Sequence, residues 1–125
     1  MNIAVTTYID NEKLMFEKNI GDYSEDENSA NIKYVDKNKK KYEIIVDKKN
    51  DNVSIVKDDT AMLIKKSRAV TNYATDYGIL NLETKLIGVA RLEKNNFVQF
   101  EIKYKIYFSK KDSQENRLKV LIRKN

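Results

Sequence analysis

The sequence predicts an all-β protein: a closed antiparallel up-and-down β-barrel of about eight to ten strands, filling residues 1–125 as one domain. Three observations carry that expectation. Apolar and polar residues alternate with period two along most of the chain, while the helical period is nearly absent. Two stretches near the C-terminus keep the alternation far longer than an ordinary strand. Short polar links divide the rest, and no proline demotes any strand to an edge.

Taken in order, strands are expected near residues 2–9, 12–20, 30–36, 41–47, 52–57 and 60–66, with a short one near 70–75. "DKNKKK", "DKKNDN" and "VKDDTA" read as hairpin links, and "GDYSEDENSA" as a longer acidic loop. From Gly78, Leu80, Leu82, Thr84 and Leu86 share one face, against Asn81, Glu83 and Lys85. The phase blurs through "LIGVARL", where Ile87 and Val89 fall on the polar side, so Gly88 marks a bulge or sharp bend.

The clearest run is "FVQFEIKYKIYFSK", with Val98, Phe100, Ile102, Tyr104, Ile106 and Phe108 inward. Phe97 to Phe108 would span roughly 40 Å, about twice the usual strand, so the ribbon must coil around a core. The last strand, "RLKVLIRK", turns Leu118, Val120 and Ile122 inward and Lys119 and Arg123 outward. Each buried aliphatic or Phe side chain contributes roughly 1.5–3 kcal/mol. Closure buries one whole face of both long strands, which favours a barrel over a sandwich.

Composition narrows the chemistry. The chain has no cysteine, hence no disulfide, thiolate nucleophile or sulfur-held metal, and no histidine, the commonest base at neutral pH. Three glycines cannot build a glycine-rich phosphate cradle. "DYSEDEN", with Asp22, Glu25, Asp26 and Glu27, lacks the regular spacing and central glycine of an EF-hand loop. No carboxylate pair stands out among 19 acids. No enzyme, cofactor or metal site is therefore expected. The N-terminus lacks the basic start and apolar run of a signal peptide, and no stretch approaches about 18 apolar residues. A cytoplasmic protein without a membrane partner is the expectation.

The net charge of +5 points toward an anionic partner such as RNA, through Lys65, Lys66, Arg68, Lys103, Lys105, Arg117 and Lys119. Two facts weigh against it. Only four of the 24 basic residues are arginine, and Tyr107 is an isolated outward aromatic where a stacking platform needs several. The charge is also lopsided, since residues 1–36 hold three lysines against eight acids.

"YATDYGILNLET", followed by a long alternating strand and a short last one, resembles the bacterial family of unknown function typified by YwiB. Its pattern, Y-x-(T/M)-P-(Y/F)-G-x-(L/I)-x-L-x-T, is matched at Tyr73, Thr75, Tyr77, Gly78, Leu80, Leu82 and Thr84. Asp76 stands where that family has proline, and the segment between Lys66 and Tyr73 is shorter. The resemblance implies a calycin-like barrel, broadly lipocalin-like, and no known activity. The Gly-x-Trp signature of true lipocalins is missing, since the chain has no tryptophan.

The barrel class and the Tyr/Thr cluster lead to a small-molecule-binding barrel as the first expectation. Tyr73, Thr75, Tyr77, Thr84 and Tyr104 would line one barrel end around a small apolar or aromatic ligand. The competing reading makes the cluster structural: a tyrosine corner in which Gly78 supplies a tight turn and Asp76 accepts backbone hydrogen bonds. Bulky inward residues leave at best a shallow cavity, opened by Gly88, Ala90 or Thr84. A protein-interaction or inhibitor barrel using loops or a strand edge is the third reading.

Overall fold

Alternation becomes strand almost everywhere the sequence shows it. The computed structural model describes residues 1–58, 60–75 and 78–123, the side chains of 71–75, 79 and 80 apart. Ten strands follow one another: β1 (Asn2–Ile9), β2 (Glu12–Glu25), β3 (Ser29–Val35), β4 (Lys41–Asp47), β5 (Asn52–Lys57), β6 (Thr60–Lys65), β7 (Ala69–Thr75), β8 (Gly78–Glu93), β9 (Phe97–Tyr107) and β10 (Ser113–Arg123). All pair antiparallel in one sheet of order β6-β5-β4-β3-β2-β1-β10-β9-β8-β7.

This is an up-and-down meander in which the first and last strands also pair. Ile3 lies opposite Ile122 and Val5 opposite Val120. One apolar cluster occupies the concave face, with Ile3, Ile32, Ile44, Val53, Ile64, Phe100, Ile102 and Ile122 fully buried. The β1–β2 turn, Asp10–Asn11, has φ of 48° and 68°. Consecutive positive φ values are what a two-residue hairpin turn needs to match strand twist, and Asn and Asp tolerate them.

Four features differ from the sequence expectation. First, β6 and β7 come close through the short link 66–68, yet no ladder joins them among the described residues. The expected ring of hydrogen bonds is therefore a curled sheet with a seam. The link's charged residues are anchored on opposite shores: Lys66 pairs with Asp51 at 3.4 Å, and Arg68 with Glu83 at 2.8 Å.

Second, "GDYSE" is strand rather than loop, and only residues 26–28 turn. β2 pairs with β1 up to Ile20 and with β3 from Ile20 onward. Gly21 permits this change of partner, because a Cβ there would lie 1.9 Å from the Lys33 carbonyl oxygen and 2.7 Å from Ile3 Cδ1. Third, β10 begins at Ser113, earlier than the strand read around Leu118. Fourth, Phe108 is 61% exposed, because β9 ends at Tyr107 and Phe108 starts the turn.

The irregularity expected at Gly88 is a β-bulge. Leu86 pairs with Tyr104 and Gly88 with Lys103, which leaves Ile87 as the extra residue. A comparable shift between Thr7 and Tyr8 leaves Leu14 unpaired.

The three glycines should respond differently to substitution. Gly21→Ala is expected to cost about 1–3 kcal/mol or more, through overlap with rigid backbone. Gly78→Val should cost about 1–3 kcal/mol, because φ is +123° at this first residue of β8. Gly88→Ala should stay within about 0.5 kcal/mol, since its Cβ would meet nothing within 4 Å. Thermal and urea melts of the three variants measure all of this.

Candidate ligand-binding site

Strand parity decides which side chains meet inside. Before the bulge, Leu82, Thr84 and Leu86 of β8 face the core. After it the phase flips, so Val89, Arg91 and Glu93 lie opposite the inward residues Ile102, Phe100 and Val98. An arginine thereby enters the concave face at one end of the sheet, where the extended β2 delivers Glu25.

Arg91 grips Glu25 with a two-pronged contact, Nε to Oε2 at 2.8 Å and Nη2 to Oε1 at 2.7 Å. Lys48 Nζ reaches Glu25 Oε2 at 2.5 Å, and Tyr23 Oη donates to Glu25 Oε1. Arg91 also holds Glu93 at 2.9 Å, while the Tyr23 ring rests 6.4 Å from Phe100. Burial works to raise the Glu25 pKa, but the hydrogen bonds from Arg91, Lys48 and Tyr23 outweigh it and hold the value at about 2. Burial, then the Glu25 carboxylate, push Tyr23 up to about 12. Every charge here has its partner, so the cluster is a partly exposed strut joining β2 to β8 at this end of the sheet.

Toward the opposite end lies a cavity of about 220 Å³. β3, β4 and β5 supply adjacent inward residues: Tyr34 opposite Tyr42, and Tyr42 opposite Lys57. The two tyrosine rings stack, with centroids 4.9 Å apart and planes 6° from parallel. Lys57 Nζ sits 5.7 Å from the Tyr42 ring centroid. Glu17 of β2, Tyr104 of β9, Thr7 and Thr60 complete the polar lining, among Ile44, Ile55, Met62 and Leu118. Tyr104 Oη accepts from Asn116 Nδ2 at 3.3 Å, and Asn116 Oδ1 accepts from Gln114 Nε2 at 2.7 Å. Burial, followed by the charge or dipole of Tyr42, Glu17 and Asp36, raises the Tyr34 pKa. Its phenol stays protonated and is able to donate.

Of the residues expected to bind a ligand, Tyr104 lines this cavity. Thr84 is fully buried, and its Oγ1 finds no hydrogen-bond partner among the described residues. Tyr73 and Thr75 belong to β7, opposite Leu80 and Gly78, with their side chains outside the described set. Asp76 and Tyr77 lie outside the described residues. Since β8 joins β9 only from Glu83, the β7–β8 hairpin extends past β9 at the cavity end. Gly88 lines a separate depression near Arg91, and Ala90 is exposed.

Sequence reasoning missed Glu17, Tyr34, Tyr42 and Lys57. The usable signal was the position of Tyr34 and Tyr42, which flank one hairpin link at matching distances. It also missed Glu25 and Arg91, which no local pattern pairs.

On the outer wall, acids interleave with the expected anion-binding residues. Arg117 and Lys103 approach Glu101 at 3.7 and 4.0 Å, and Lys119 and Lys105 lie opposite Glu101 and Glu115. Lys66 and Arg68 carry the ion pairs already described, and Lys65 ends β6. Tyr107, expected to stand alone, is covered by the Arg68 guanidinium at 3.8 Å. Arg117 likewise lies over Tyr8 at 4.0 Å. Among the described residues no group of three or more carboxylates is placed to hold a metal, and no helix is long and apolar enough to cross a membrane.

One curled ten-stranded antiparallel meander, with a strut at one end and an aromatic cavity toward the other, defines an all-β protein built to enclose an interior. Among solved structures the chain is similar to the ywiB protein from Bacillus subtilis, with a TM-score of 0.69 over 96% of this chain and 87% of that one. The YwiB-like fold expected from the corner motif is thus the fold the chain has. At 14% identity the likeness is one of fold. No family profile and no curated protein matches the chain.

The strut should show in the pH dependence of stability. The folded-state pKa of Glu25 lies below its ordinary 4.5, so the stabilisation is fully present above about pH 4.5 and fades as pH falls toward 2. Melting temperatures of the wild type and Glu25→Gln are expected to differ most near neutrality and to converge by about pH 2. A gap independent of pH would assign the effect of Glu25 to packing.

Proposed function

We propose that this protein is a small-molecule-binding, calycin-like barrel whose ligand occupies the cavity between Tyr34, Tyr42 and Tyr104. The observation that carries this reading is the cavity's make-up: an apolar floor of Ile44, Ile55, Met62 and Leu118 beneath a few converging polar groups. Ligand sites are lined in this way, with the polar groups fixing orientation.

Size limits the ligand. A dry cavity of about 150 Å³ accepts benzene, while drug-sized ligands use roughly 300 Å³ or more. At about 220 Å³ the cavity suits a molecule of one ring with a short polar substituent. The seam between β6 and β7 does not conflict with this use, because seven other strands furnish most of the wall and β6 adds only Thr60 and Met62. The ion pairs along the basic wall weigh against an anionic polymer as the principal partner, since each acid must be displaced or repelled.

Ile55→Trp tests the reading by filling the cavity from a half-buried position. Thermal shift and titration calorimetry with single-ring compounds should show binding to the wild type and none to the variant, whose circular dichroism stays that of a β-sheet. Saturating ligand at about 100 times Kd would stabilise the wild type by roughly 2.7 kcal/mol. Equal binding to both proteins would remove the cavity as the site.

A further inference from the structure

We propose that the cavity selects a small organic cation, a protonated amine carrying one apolar ring, with Glu17 as the group that receives its charge. This inference rests on the cavity being a ligand site, and it specifies the ligand's chemistry.

Among the lining residues only Glu17 and Lys57 are charged. They differ in what they already hold. The Lys57 ammonium lies against the Tyr42 ring and hydrogen-bonds its hydroxyl. Glu17 is half-buried, and its carboxylate makes no hydrogen bond or ion pair among the described residues. Glu17 lies opposite the buried Val5 of β1, which turns its side chain to the concave face that Tyr34 and Tyr42 also line. A carboxylate partly removed from water, with no ion pair among the described residues, is an incomplete pair. The missing partner is a cation.

The rest of the lining agrees. Tyrosine faces attract cations through the ring quadrupole. Met15 and Met62 offer polarizable thioethers that suit the same class of ligand. Asp36, buried in the adjoining turn and bonded to the Asn38 and Lys40 amides, adds to the negative field at Tyr34. An anionic ligand would instead face Glu17 and the π clouds, and would have to draw Lys57 away from Tyr42. Two carboxylates, Glu17 and the adjoining Asp36, thus stand against one ammonium, Lys57, at this end of a chain of net charge +5.

Calorimetry with three ligands of one shape separates the possibilities: benzylamine as its ammonium ion, benzyl alcohol and benzoate, at neutral pH and low salt. The ammonium ion is expected to bind the wild type roughly tenfold more tightly than the alcohol, as a charge-assisted hydrogen bond would give, with benzoate weakest. Glu17→Gln should lower the ammonium ion's affinity about tenfold relative to the alcohol's, removing that advantage, whereas Lys57→Gln should keep the ammonium ion the tightest of the three. Alcohol or benzoate binding the wild type as tightly as the ammonium ion would overturn the cation assignment and leave the cavity reading standing. If none of the three binds the wild type, and Ile55→Trp behaves the same, both readings fall.

Discussion

The pairing of β1 with β10 is the interaction on which the rest of the structure depends. From that pair the strand order runs outward in both directions, through β2 to β6 on one side and β9 to β7 on the other. Ile3, Val5, Val120 and Ile122 meet across it, and all four are buried. Without the pair there would be two separate meanders, each with one greasy face in water. At roughly 1.5–3 kcal/mol for each buried side chain, the contact stabilises the fold enough to matter for a domain of this size. It also joins opposite ends of the chain, so the loop entropy must be lost before the contact forms.

Parity is the second constraint. A shift of one residue sends every following side chain to the other face, so a bulge is a means of moving a residue inward without changing the sequence pattern. Ile87 does this for Arg91, and Gly21 lets β2 run far enough to bring Glu25 to meet it. The strut at that end is the joint product of two local irregularities on strands that are not sheet neighbours. At the other end the parity of β3, β4 and β5 is unbroken, and Tyr34, Tyr42 and Lys57 form a row across the sheet. The cavity opens where that row meets Tyr104 from β9 without filling the space between them.

How much of this was legible in the sequence depends on the range of the cause. The long ribbon from Val98 to Ile106, the bulge beside Gly88 and the positive φ at Gly78 were all readable, because each follows from a few adjacent residues. The acidic stretch after Gly21 was misread as a loop. Acids at Glu25 and Asp22 look solvated until it is known that Arg91, 66 residues beyond Glu25, neutralises the inward one. The basic wall was legible as a composition but not as a surface, because the acids interleaved with it come from neighbouring strands.

The sequence by itself determined which residues form strands and which face of each strand is apolar. Both are set by steric and solvation preferences that act over two to five residues. Only the tertiary structure decided that β6 and β7 stop at a seam, that Glu25 is ion-paired while Glu17 has no ion pair among the described residues, and that an aromatic cavity survives inside a bulky core. Those outcomes depend on separations between residues far apart in the chain. Curling one continuous sheet around a shared interior sets all of these separations together.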